Sequence, residues 1–200
     1  MTAPRCRVAI TGGPGGGKST AVDLFRRELG ESVVVVPESA TMLFAGGFPR
    51  TDLPEARMHA QRAIFHVQRN LEDLYRSMYP GRALICDRGT VDGAAYWPRD
   101  GDYFIAMGTT LEDELARYDA VIFFESAAVG GMSIEGGNPT RIESNVEAVQ
   151  IDRALRDLWQ GHRRFVMVPH RDSFFAKIQA GFAAMREIVD EHLSNGDAPR

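Results

Sequence analysis

The run Gly12-Gly13-Pro14-Gly15-Gly16-Gly17-Lys18-Ser19 constrains this 200-residue chain more than any other segment. It fits G-x-x-x-x-G-K-[ST], directly follows the apolar segment 5–11 (RCRVAIT) and opens a stretch with helical periodicity over 18–30. With this amino-acid usage the pattern's chance expectation is only ~0.002 occurrences in the chain. Glycines adopt backbone dihedrals closed to other residues, so successive N–H groups can converge on one concavity. The start of a helix adds the positive end of its dipole. Strand, loop and helix in that order predict a polyphosphate cradle built from Gly13, Pro14, Gly15, Gly16, Gly17, Lys18, Ser19 and Thr20. The Lys18 ammonium is expected at the β- and γ-phosphates, and the Ser19 hydroxyl on Mg²⁺. The motif points to a nucleoside triphosphate, ATP or GTP, and does not name a reaction.

Charge narrows the partner. Lys and Arg number 23 against 27 Asp and Glu, a net charge of −4, which excludes a broad nucleic-acid or anionic-membrane binder. Only two of the cations are lysines, Lys18 and Lys177; Lys177, on the last helix, has no evident task. Two cysteines, Cys6 and Cys86, make no disulfide framework and point to the reducing cytoplasm. No apolar run approaches the ~20 residues that cross a bilayer, and the opening MTAPRCRVAI is too quickly polar for a secretory signal.

Apolar runs at 5–11, 33–37, 83–87, 119–125 and 164–168 read as strands buried on both faces. Helical periodicity fills 18–30, 53–79, 109–117, 143–160 and 172–193 between them. Asp52 is the expected cap of the second helix, with Pro54 in its first turn, and Asp172 that of the last. Alternating strands and helices predict an α/β fold: a three-layer, doubly wound parallel sheet in one domain over 1–193, followed by a disordered tail at 194–200. Two Gly/Pro-rich stretches, 45–52 and 126–140, escape the pattern. Loops after strand ends line the ligand crevice of such sheets, so both are candidate substrate or lid loops, the second as an insertion over about 126–142.

Strand ends carry the remaining chemistry. The segment ALICD ends in Asp87, which would lie beside the phosphate loop and hold Mg²⁺ directly or through water. Arg88 follows and could stabilise charge on a transferring phosphoryl group; the alternatives are a strand-end turn residue for Asp87 and a surface arginine for Arg88. Glu38, after the run 33–36, would stand at the crevice rim. There it is either a base for a substrate hydroxyl or only an acid at a helix start. Arg141, just past the second Gly/Pro loop, is the best-placed lid cation and Arg153 the next. On the long second helix Gln68 could read a base or carboxamide edge, although most polar residues there should be solvated. His59, His162 and His170 show no metal spacing.

The segments ITGGPGGGKST, VPESATMLFAGG, ICDRGTVDGAAY, RYDAVIFFESAAVG and RIESNVEAVQIDRALRDLWQGHRRF, in that order, resemble the nucleotide-binding domain shared by NadR-type ribosylnicotinamide kinases and TRPL-translocation-defect proteins. The likeness spans about residues 5–180. It implies a kinase-type P-loop NTPase fold with strand order 2-3-1-4-5, and Lys18, Ser19 and Asp87 in Mg-nucleotide binding. The chain also resembles deoxynucleoside kinases, whose Pro-Glu after the second strand supplies the base for a 5′-hydroxyl; Glu38 matches it, and Asp87-Arg88 match their acid–arginine pair. NadR-type proteins carry an adenylyltransferase domain and the translocation-defect proteins a C-terminal domain that this sequence does not contain. Two functions follow as expectations. The first is a cytoplasmic Mg-dependent kinase passing the γ-phosphoryl of ATP or GTP to a nucleoside-like hydroxyl, with homodimerisation left open. The second is a regulatory nucleotide-binding module with slow hydrolysis and a protein or phosphoinositide partner.

Overall fold

The computed structural model describes residues 6–98, 101–132 and 144–196. Five strands, β1 (Arg7–Thr11), β2 (Val33–Val36), β3 (Ala83–Asp87), β4 (Ala120–Phe124) and β5 (Phe165–Val168), form one sheet in the order β2-β3-β1-β4-β5. Every pairing is parallel, with Val8 opposite Ile85 and Ala120, so β1 lies at the centre. This is the kinase-type order, and the expected strands fall within a few residues of the observed ones. Parallel neighbours need crossovers, and the helices α1 (Lys18–Leu29), α3 (Pro54–Met78) and α6 (Asn145–Trp159) supply most of them, while α7 (Phe174–Gly196) follows the last strand and covers one face of the sheet.

Period-two alternation divides each strand between two cores. Val8, Ile10, Ile85, Ile122 and Phe124 pack against Phe25 of α1 and Met185 and Ile188 of α7. Ala9, Leu84, Cys86 and Val121 pack on the other face against Tyr118, Trp159 of α6 and Leu71 of α3. The two covers explain why the strands read as unbroken apolar runs. A third cluster of Phe65, Trp97, Tyr103 and Met107 joins α3 to α4 (Tyr103–Met107) beside the ligand crevice.

Several local expectations need correction. Asp52 does not cap α3: Leu53 is its N-cap, with Pro54 in the first turn, and Asp52 pairs with Arg57 at 3.0 Å instead. Asp172 does not cap α7; the Ser173 hydroxyl accepts from Ala176 N–H at 3.2 Å. The expected helix over 109–117 is shorter, α5 (Leu111–Leu115), and is capped by Thr110. Three short pieces gave no readable period: α2 (Ser39–Ala45), α4 and a 3₁₀ segment over Thr90–Tyr96. Helix α7 runs to Gly196 rather than 193. No helix among the described residues is long and apolar enough to cross a membrane.

Candidate functional site

The carboxyl ends of β1, β3 and β2 open on a cavity of about 1270 Å³. The loop from Pro14 to Thr20 forms one wall, and Glu38, Asp87 and Arg88 form another. The sheet order explains this convergence: β3 lies between β1 and β2, so their three following loops share one edge. The first Gly/Pro-rich stretch also reaches the site, since Phe48, Pro49, Arg50, Thr51 and Asp52 line the same cavity. Of the second stretch, residues 126–132 are described and include a 3₁₀ turn over Ala127–Gly130; Ala127 lines the cavity. The remainder of that stretch and Arg141 lie outside the described residues. Arg153 is exposed and is not in the cavity wall, which α6 lines with Glu147, Gln150 and Ile151.

The phosphate loop is held by its own geometry. Gly12 has φ +128, and a Cβ there would stand 2.0 Å from the Phe124 carbonyl oxygen, so only glycine fits between β1 and β4. Gly17 has φ +89 at the start of α1. Lys18, 8% exposed, folds back and donates from Nζ to the carbonyls of Gly12 and Gly13, each at 2.7 Å. Burial and the nearby Arg88 guanidinium push the Lys18 ammonium down to about 7. Gly13 is not a free phosphate donor here. Its N–H donates to Asp152 Oδ1 at 2.9 Å.

Arg88 organises the opposite wall. Its Nε donates to Glu38 Oε1 at 2.8 Å and its Nη1 to Asp92 Oδ2 at 3.0 Å. It sits at φ 75, the left-handed region, at the point where β3 ends. Asp92 is the anchor that sequence reasoning missed. It is 4% exposed and also accepts from Thr11 Oγ1 at 2.9 Å and from Trp159 Nε1 at 2.7 Å. Burial alone would lower the Arg88 guanidinium, but Tyr96, Glu38 and Asp92 hold it well above its ordinary value. Burial alone would raise the Glu38 carboxyl; Arg88, the Thr41 hydroxyl and Lys18 more than reverse this and leave it lowered. Thr41 Oγ1 donates to Glu38 Oε2 at 2.5 Å.

Asp87 differs from its neighbours. No hydrogen-bond donor among the described residues reaches its carboxylate. Burial and the adjacent Glu38 raise it to about 6. A cavity-facing carboxylate without a donor, together with the Ser19 hydroxyl, is a hard-oxygen set that fits Mg²⁺. No group of three or more His, Cys, Asp or Glu that could hold a metal occurs among the described residues, so phosphate oxygens would have to complete such a site. Gln68 reaches the cavity, but its amide is engaged. Oε1 accepts from Ser39 N–H at 3.3 Å, and Nε2 donates to the Arg88 carbonyl at 3.2 Å. Lys177, which had no evident task, is 2% exposed and donates to the Glu125 carbonyl at 2.5 Å.

Comparison with known proteins bears on the family and the fold. A family model described as an AAA domain matches residues 7–177. The fold is similar to that of a solved structure of deoxyadenosine kinase from M. mycoides with bound dATP. The TM-score is 0.64 at 14% identity, covering 91% of this chain and 100% of that one. Among curated proteins none matches. The shared architecture is that of a kinase-group P-loop NTPase.

Proposed function

This chain belongs to the AAA domain family, and from that premise we propose that it is a Mg-dependent kinase that transfers the γ-phosphoryl of ATP or GTP to a nucleoside-like hydroxyl. The observation that carries the reading is the meeting of Glu38, Arg88, Asp87 and Lys18 on one cavity. A hydrolase needs only the phosphate half. The half beyond Glu38, lined by Phe44, Ile64, Phe65, Gln61 and Tyr103, is an apolar and aromatic chamber suited to a second, flat molecule.

The chemistry follows from the positions. The acceptor oxygen attacks the γ-phosphorus, its proton passes to Glu38, and the bond from the γ-phosphorus to the β–γ bridging oxygen breaks to release the nucleoside diphosphate. Lys18 leaves its two loop carbonyls for the phosphates, and Arg88 neutralises charge on the transferring group. Ser19 and Asp87 would hold Mg²⁺, which would supply neutralisation of phosphate charge. Arg141 remains a proposed lid cation on its position in the sequence. The buried free thiols of Cys6 and Cys86 suit the cytoplasm.

The deciding experiment offers the purified chain Mg-ATP or Mg-GTP with a panel of nucleosides and follows diphosphate release and product mass. Release stimulated by one nucleoside, with its monophosphate formed, is the expected outcome. One observation favours the regulatory alternative: Glu38 is already held by Arg88 and Thr41, which weakens it as a base. Slow release indifferent to every nucleoside, with nucleotide-dependent capture of a protein or of phosphoinositide vesicles, would establish that alternative instead.

A further inference from the structure

Behind the phosphate loop, α6 inserts Asp152, which is 1% exposed. A single oxygen of its carboxylate, Oδ1, accepts the N–H of Gly13 at 2.9 Å and that of Ser126 at 2.8 Å. Ser126 in turn donates its hydroxyl to the Pro14 carbonyl at 2.5 Å. A Cβ on Gly13 would stand 2.5 Å from that same Oδ1, so the loop rests directly on the carboxylate. The far side of the Gly13–Pro14 peptide is also engaged: the Gly13 carbonyl accepts from Gly16 N–H at 3.3 Å and from Lys18 Nζ at 2.7 Å.

Two consequences follow. Gly13 has committed its N–H and Pro14 has none, so the donors that can face phosphate begin at Gly15. The shape of the loop up to that point is therefore set from outside, by a helix more than 130 positions away in sequence. That helix also lines the cavity with Glu147, Gln150 and Ile151, and it sends Trp159 to Asp92.

We propose that Asp152 is a positioning residue for nucleotide binding, holding Gly13 and Ser126 through Oδ1 so that the amides from Gly15 onward converge on the phosphates. The proposal rests on the nucleotide-binding reading above. Its requirement is an acceptor at Oδ1, not a negative charge, because a carboxylate buried behind the cradle repels phosphate. Asparagine meets that requirement and alanine does not.

The test uses the full chain with Mg²⁺, titrated with a fluorescent mant-ATP and competed with inorganic tripolyphosphate. Asp152→Ala should weaken both ligands by about tenfold or more in protein that still melts cooperatively. Asp152→Asn should stay within about threefold of the parent. A loss confined to the melting temperature, with affinities unchanged in Asp152→Ala, would overturn the proposal. So would an Asn variant as weak as the Ala variant. If Asp152→Ala does not fold, Ser126→Ala decides, since it leaves Asp152 in place and removes the hydroxyl that holds Pro14 and accepts the Ala128 N–H. A weakening of about two- to fivefold is then expected, and unchanged affinity overturns the proposal. A parent chain that binds neither ligand would instead overturn the nucleotide-binding reading, an outcome distinct from equal binding by parent and variant.

Discussion

Arg88 Nε lies 2.8 Å from Glu38 Oε1, joining the ends of β3 and β2 across the mouth of the cavity. The pair is held from behind, because Asp92 takes the other arm of the guanidinium and is itself bound by Thr11 and Trp159. Neither side chain has to search for its position when substrate arrives, which lowers the reorganisation needed at the reacting centre. Arg88, the Thr41 hydroxyl and Lys18 hold the Glu38 carboxyl below its ordinary value despite its burial, so in the proposed reaction it would be ionised and would accept the proton late, as the bond to phosphorus forms.

Glu38→Gln preserves size and the hydrogen bond to Arg88 but cannot accept a proton. Mg-nucleotide affinity is expected within about threefold of the parent, while transfer falls by about 10²–10⁴. Equilibrium binding and single-turnover transfer, measured side by side, check this. Equal turnover would remove Glu38 from the chemistry.

Asp92→Ala removes the acceptor for three donors and leaves the Trp159 indole N–H buried without a partner. A stability loss of about 2–4 kcal/mol is expected in chemical denaturation. Asp92→Asn keeps an acceptor and should cost less, yet it loosens Arg88 and so should lower transfer more than nucleotide affinity. Transfer unchanged in that variant would show that Arg88 needs no support from Asp92.

The Asp87 carboxyl is raised from 3.8 to about 6, so the folded state holds the proton more tightly than the unfolded chain does between those values. Stability contributed by this group therefore declines as pH rises from about 4 to 6, and the cost persists above that window. Asp87→Asn should raise the stability of the nucleotide-free protein at pH 7.5 by about 1–2 kcal/mol while abolishing Mg-dependent tightening of nucleotide. Differential scanning calorimetry with and without Mg-nucleotide separates the two effects. A variant no more stable than the parent would remove Asp87 as a strained carboxylate.

Lys18 and Lys177 shift in the opposite sense, lowered from 10.5 to about 7 and about 8 by burial first of all. Between those values and 10.5 the unfolded chain holds more protons, so their contribution makes stability rise with pH from about 7 to about 10.5. Lys18→Met should flatten that rise. Phosphates favour charged Lys18, so nucleotide binding at pH 8.5 should take up a fraction of a proton. Calorimetric titration in two buffers of different ionisation enthalpy measures it, and zero uptake would contradict a displaced Lys18.

Much of this site was readable because its signals are local. The GGPGGGKS run depends on backbone freedom within eight positions, and the strand ends carrying Glu38 and Asp87 follow from short apolar runs closed by a carboxylate. Asp92 was marked only as part of the ICDRGTVDGAAY segment that carries the family resemblance, with no signal of what it touches. It lies in a 3₁₀ segment without a readable period, so nothing local shows that it meets Thr11, Arg88 and Trp159. Helix caps were misassigned by one residue at Leu53 and Ser173, because cap choice depends on where the preceding loop docks.

The sequence by itself determined the class of fold, the phosphate loop and the loops that edge the crevice. Each of these arises from propensities and periodicities that act over a handful of residues. The tertiary structure decided which side chains meet. Glu38 and Arg88 are 50 positions apart, Thr11 and Asp92 81, and Gly13 and Asp152 139. Those meetings require β3 to lie between β1 and β2, and α6 to dock behind the loop. Sheet order and helix docking are settled by burial summed over the whole core, a quantity that no single stretch of sequence contains.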